Sequence, residues 1–252
     1  MQNIIRTSLS ALSLLLACGL SLPSQAQSMT QEQTQALAEI NALLHEHPQI
    51  IASVNSSLQA YVEQLSAQQA ALDKQQEWLF NEPSHPRLGD PNSPHQVVVF
   101  TDYNCPYCKR LEPSLEKLVT DYPSLQVINI YVPLRQQQVA GLNTNSASYA
   151  LSVWRDDRQA FQQVHELMMK KSGMHDAKSL KQVASTTQTE SLLTASKHSN
   201  EVIKKNLEAF SSLGFRGTPT VIIGQQVIPG FVPYEQLQQV VEQQFQLGNS
   251  DS

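Results

Sequence analysis

Two cysteines stand two residues apart in the run Cys105-Pro106-Tyr107-Cys108. A redox dithiol needs one thiol that ionises easily, because the thiolate is the nucleophile, and a second thiol able to reach and displace it. A CxxC run at the start of a helix supplies both. The first cysteine meets the open end of the helix, where unpaired N–H groups and the macrodipole favour negative charge. In such settings a thiol pKa falls from ~8.5 to between ~3.5 and ~7.5. Cys105 is therefore expected to attack and Cys108 to resolve. Pro106 suits the first turn and stiffens the loop. Tyr107 is expected to tune the potential through its ring and hydroxyl.

Other uses of the pair fit less well. A zinc half-site needs two further Cys or His at ligand spacing. The only other cysteine is Cys18, and the seven histidines show no such pairing after the motif. A c-type haem site needs His after the second cysteine, where Lys109 stands. As a staple the pair would close a tiny loop and remove little unfolded-state entropy. No metal ligand set and no cofactor beyond a redox-active Cys105–Cys108 disulfide is expected.

The elements that must hold the pair are legible around it. Residues 96–101 form a β-branched run expected to be a buried strand. Asp102-Tyr103-Asn104 turns the chain. Leu111, Leu115, Leu118 and Val119 give residues 109–120 one apolar helical face, and residues 125–131 read as a second strand. This is a βαβ unit with the cysteines where the first strand meets its helix. Residues 143–213 have helical spacing and read as an insertion, closed by Gly214 as a helix stop. Then come Gly217-Thr218-Pro219-Thr220, a strand at 221–223, a turn at Gly224, a strand at 225–228 and a final helix near 233–246. A Pro before a strand is by itself only an edge or turn marker. The fold class is α/β.

Upstream, Leu37, Ile40 and Leu44 suggest a short helix before Pro48. Ile51, Val54, Leu58, Tyr61, Leu65 and Leu72 form a heptad-like stripe in a second helix. Residues 48–80 as one helix would span about 50 Å. Its stripe must be buried, either on the same helix of another chain or across its own domain; the seven-residue period favours the former. Residues 81–95, with four prolines and Gly89, read as a linker or extended lead-in.

The chain opens with Arg6, an apolar stretch from Leu9 to Leu22, and Ser24-Gln25-Ala26, the pattern of a secretory signal with cleavage after Ala26. Leu15-Leu16-Ala17-Cys18 resembles a bacterial lipobox, so lipid anchoring through Cys18 is the alternative. The expected organisation is a signal at 1–26, a helical and oligomerising extension at 27–80, a linker at 81–95, and a catalytic domain at 96–252. Net charge is −5 over 252 residues with no basic run, which argues against nucleic acid as a partner.

Phe100-Thr101-Asp102-Tyr103-Asn104 before the CPYC run, a helical insert, and Gly217-Thr218-Pro219-Thr220 after it resemble the DsbA family of thioredoxin-fold proteins over about residues 96–246. The resemblance implies a thioredoxin fold with a helical insertion, with Pro219 as a cis-proline beside the CxxC and the Thr218 backbone pairing with an extended substrate. The helical extension, the Pro-Tyr dipeptide and Thr before Pro219 are more similar to ScsC-like and 27-kDa outer-membrane-protein-like members than to DsbA. Some of those are oligomeric isomerases and some are tied to copper tolerance. The expected function is a periplasmic disulfide isomerase or reductase acting on unfolded or misdisulfided exported proteins. A membrane partner of the DsbD or DsbB type is expected to set its redox state. A dithiol oxidase is the nearer alternative. A chaperone or copper-thiolate binding protein is the more distant one, since two thiolates suit Cu(I) on softness grounds.

Overall fold

The computed structural model describes residues 29–247. The signal pattern, its cleavage point and Cys18 lie outside the described residues. The chain divides into two compact units, one ending at Gln59 and one starting at Ala60.

In the first unit α1 spans Gln31–Glu46. Thr30 caps it: the Gln33 N–H donates to Thr30 Oγ1 at 3.2 Å and Gln33 Oε1 accepts from the Thr30 N–H at 2.9 Å, a reciprocal capping box. Pro48–Ile50 is a single 3-10 turn. It leads into α2, Ile51–Gln76, which runs on into the second unit. Leu37, Ile40, Leu43, Val54 and Leu58 are all exposed, Leu58 at 58%. Of the apolar positions read from the sequence here, Leu37, Ile40, Ile51, Val54 and Leu58 are exposed and Leu44 is half-buried.

In the second unit α2 closes with one π-helical turn, Glu77–Asn81. Here the stripe meets the body: Leu72 is buried and Leu79 is 0% exposed. An extension ending at residue 80 would therefore cut through the core. Residues 81–95, expected as a linker, instead supply β1, Arg87–Gly89, paired antiparallel with β3. Its pairing is hard to see in sequence because three residues between prolines carry no periodicity. Gly89 sits at φ +89, and a Cβ there would come within 2.3 Å of the Leu125 carbonyl oxygen. The turn out of β1 thus needs glycine.

The sheet has the order β1-β3-β2-β4-β5. Here β2 is His95–Thr101, β3 is Leu125–Tyr131, β4 is Thr220–Ile223 and β5 is Gln226–Pro229. β2 runs parallel to β3, in register from His95 opposite Leu125 to Thr101 opposite Tyr131. The crossover between them is α3, Pro106–Asp121, which starts at Pro106 and not at Lys109. β2 also pairs antiparallel with β4. The two faces of β2 separate by alternation. Val97 and Val99 pack with Leu111, Leu115 and Leu118 of α3 and with Leu237 and Val241 of α8, Tyr234–Phe245. Val98 and Phe100 pack on the other face with Phe210, Leu213, Leu72 and Leu79.

Between β3 and β4 the insertion supplies α4, Ser146–Asp156; α5, Arg158–Lys170; α6, Ala177–Thr187; and α7, Lys197–Ser212. These enclose a core of their own around Tyr149, Val153, Val164, Met168 and Leu180. Gly214 follows α7 at φ +72. A central βαβ unit, an antiparallel hairpin and a terminal helix, with helices inserted before the hairpin, make the arrangement that the resemblance implies.

Candidate active site

β2 ends at Thr101, and the next three residues build the turn that carries the dithiol. Asp102 is buried. Its Oδ1 accepts from the Asn104 N–H at 2.8 Å, its Oδ2 from the Arg135 N–H at 3.0 Å, and its carbonyl from the Cys105 N–H at 2.9 Å. A side chain that accepts from the backbone two residues on makes an Asx turn. Here it locks the strand-to-helix corner. Asn104 extends the lock: its Oδ1 accepts from the His175 N–H at 2.7 Å, tying the corner to the loop before α6.

Cys105 is the N-cap of α3 (φ −88, ψ 121) and Pro106 occupies the first turn. No side chain caps this end, so the free N–H groups face the Cys105 sulfur. The Cys105 thiol is pulled down to about 5, chiefly by the hydrogen bond from the Cys108 thiol. Burial opposes this, and the Thr218 side chain and the N–H groups of Cys108 and Tyr107 add to it. Cys108, one turn into the helix and 1% exposed, behaves oppositely. Burial pushes its thiol up, the Cys105 charge adds to that, and a hydrogen bond from Thr101 works against it.

Thr218 and Pro219 arrive from the far side of the insertion. The peptide between them is cis. The Cys105 Sγ–H donates to the Thr218 carbonyl at 3.1 Å. The loop is held from behind: the Gly230 N–H donates to the Pro219 carbonyl at 2.8 Å, and Thr220 Oγ1–H donates to the Gly217 carbonyl at 2.8 Å. Five of the six residues singled out from sequence thus meet at one corner. The sixth, Tyr107, is 58% exposed beside the sulfurs. Among the described residues no group of three or more His, Cys, Asp or Glu could hold a metal.

Several nearby residues were not legible from sequence. The Lys109 ammonium is drawn down to about 8, first by burial and then by the Lys171 charge. It donates to the carbonyls of Lys171 and, at 2.8 Å, Gly173. Asp102 is raised, first by burial. Along α3, Glu112 is buried and its Oε1 lies 2.7 Å from His165 Nε2 of α5. His165 Nδ1 lies 2.8 Å from the Tyr103 hydroxyl, which is 2.7 Å from that of Tyr131. Burial raises both phenols, so they stay neutral. The Asp-x-Asn pair before Cys105 is a turn signal that could have been read. The Glu112–His165 contact spans 53 residues and has no local signature.

A family model described as thioredoxin matches residues 81–243. A linker-deletion variant of Proteus mirabilis ScsC superposes with a TM-score of 0.67 at 31% identity, over 88% of this chain and 99% of that one. The chain belongs to the thioredoxin family. Within it, the chain is a DsbA- and ScsC-like thioredoxin-fold oxidoreductase. A periplasmic thioredoxin-like protein from Salmonella enterica serovar Typhimurium is 38% identical, with a TM-score of 0.61 over 68% of this chain and 95% of that one. Disulfide bond formation protein D of Bacillus subtilis is 24% identical over 177 residues, 63% of this chain and 76% of its own length. Family membership identifies the activity in general terms as thiol–disulfide oxidoreduction.

Proposed function

We propose that the chain is an exported disulfide isomerase or reductase acting on misdisulfided proteins, with Cys105 as nucleophile and Cys108 as resolving thiol. The observation that carries the roles is the asymmetry of the pair: an easily ionised Cys105 at the helix mouth beside the Thr218 carbonyl, and one turn in a Cys108 whose thiol is pushed up. The Cys105 thiolate attacks one sulfur of a client disulfide. A new S–S bond forms to Cys105, and the client's other sulfur leaves as thiolate. In isomerisation another client thiolate attacks the mixed disulfide and restores Cys105. In reduction Cys108 loses its proton, attacks Cys105, and leaves the client reduced and the pair oxidised. The Cys105–Cys108 disulfide takes the place of a cofactor, and a membrane partner of the DsbD type would return it to the dithiol.

Export is supported by the signal pattern at residues 1–26 and by a relative described as periplasmic. Oligomerisation is supported by the exposed apolar residues Leu37, Ile40 and Leu43 of α1 and Val54 and Leu58 of α2. Several sites around one client raise the effective concentration of thiolate, which suits isomerisation. A dithiol oxidase served by a DsbB-type partner is the second reading. The thiol drawn down to about 5 favours it, because a stabilised thiolate makes the corresponding disulfide a better oxidant. Trapping the thiols of cells with a mass-adding alkylator separates the two. A mostly reduced pair supports isomerase or reductase, and a mostly oxidised pair overturns that reading in favour of oxidase.

A further inference from the structure

A groove of about 630 Å³ is lined by Thr218 of the cis-proline loop and by Val227 and Pro229 of β5. One wall is the sheet edge with Phe215 and Arg216; the other is α2, through Tyr61, Gln64, Leu65 and Gln68. β5 is the last strand of the sheet. It joins β4 through the two-residue loop Gly224-Gln225, with Gly224 at φ +57 and Ile223 opposite Gln226. In an antiparallel hairpin the pair flanking a two-residue loop exchanges both hydrogen bonds, and the next pair exchanges none. That next pair is Ile222 and Val227. The N–H and C=O of Val227, a residue that lines the groove, therefore point away from β4 along the open edge. Pro229, opposite Thr220, faces the same way and offers only its carbonyl.

We propose that this groove is a client-chain subsite, in which an extended segment next to the client cysteine adds to the open edge of β5 while α2 covers its outer side. The proposal rests on the exchange function above. The occupant follows from continuity. The Thr218 carbonyl at the mouth of the groove is 3.1 Å from Cys105 Sγ, so a polypeptide disulfide-bonded to Cys105 is anchored where the groove begins. An added strand uses main-chain groups that every client has, and alternate side chains fall to either side. Gln64 and Gln68 of α2 bring carboxamides that both donate and accept, so they serve peptide groups of any sequence. Tyr61 and Leu65, 56% and 45% exposed, provide apolar surface for the client side chains. Arg216 biases the subsite against basic segments. α2 is then a wall of the binding site as well as a stalk.

The test uses full-length Cys108→Ala protein, in which the mixed disulfide accumulates. Its rate of reaction is measured with a peptide extending several residues on both sides of one cysteine, and with N-acetylcysteine methylamide, both activated with the same aromatic thiol. Tyr61→Ser with Leu65→Ser should lower the ratio of peptide rate to small-molecule rate roughly five- to tenfold, as truncating anchor contacts does. Methylating the peptide's backbone nitrogens should lower it in the unsubstituted groove. A ratio unmoved by both changes overturns the subsite. A ratio unmoved while the sedimenting mass of the double variant falls gives the groove to a second copy of the chain, which also overturns it. Failure of both probes to react in the unsubstituted groove would instead remove the exchange reading itself.

Discussion

The helices of the first unit and those of the insertion have the same apolar spacing and opposite fates. α1 repeats Leu37, Ile40 and Leu43 on one side and buries none of its residues. α5 repeats Phe161, Val164 and Met168 on one side and buries all three. Periodicity states which face of a helix is apolar, and says nothing of what covers it. In α5 the cover is the rest of the insertion, with Tyr103 and Tyr131 beneath. In α1 the first unit itself supplies none, and a second copy is the cover proposed above. α2 carries the lesson within one helix, since Leu58 is bare whereas Leu72 is buried.

The largest expected effect lies in the body. Cys105→Ala should abolish refolding of scrambled RNase and reaction with small disulfides, whereas Leu58→Ser should retain the small-disulfide reaction per site and lower the sedimenting mass. Retained activity in the first variant would remove Cys105 as nucleophile. Next, His165→Ala leaves the Glu112 carboxyl buried without its partner, which should cost about 3–5 kcal/mol in urea unfolding. Near-zero cost would mean that the chain of hydroxyls, imidazole and carboxyl group is not tightly held. Leu79→Ala, in the core, should cost about 2–5 kcal/mol. Leu37→Ala should stay within about 0.5 kcal/mol when unfolding is measured on dilute, dissociated protein. A large loss there would show that α1 is covered in the monomer and break the contrast.

The pH dependence of Cys105 gives a finer test. Its thiol falls from 9.0 to about 5, so the folded dithiol binds fewer protons than the unfolded chain between those values. From this group the stability of the reduced protein rises with pH across that window and is lost as pH falls through about 5. Alkylation of Cys105 should likewise rise through about 5 and then level, and a midpoint near 9 would contradict the helix-mouth environment.

Local chemistry was readable because it depends on neighbours in sequence. The CPYC run, its helix, both long strands and the stops at Gly214 and Gly224 follow from backbone preference and apolar alternation over a few residues. β1 was not readable: Arg87–Gly89 is a strand only because β3 lies beside it, and Arg87 is held by hydrogen bonds to Gln126 at 2.6 Å and the Phe80 carbonyl at 2.7 Å. The boundary at residue 80 failed for the same reason. The proline-rich stretch after it marks a change of composition, whereas Leu79 is fixed by residues more than a hundred positions away in α7.

A CxxC dithiol and the βαβ unit that presents it are legible in the sequence alone, because a thiol at a helix start is a local arrangement. The tertiary structure is what brings Thr218 to 3.1 Å from Cys105 and covers both sulfurs, Cys105 at the helix mouth and Cys108 one turn in. It alone decided that Glu112 meets His165, and that α2 lines the groove beside β5. Each of these joins segments far apart in the chain, and such contacts are set by which surfaces the whole fold must bury together.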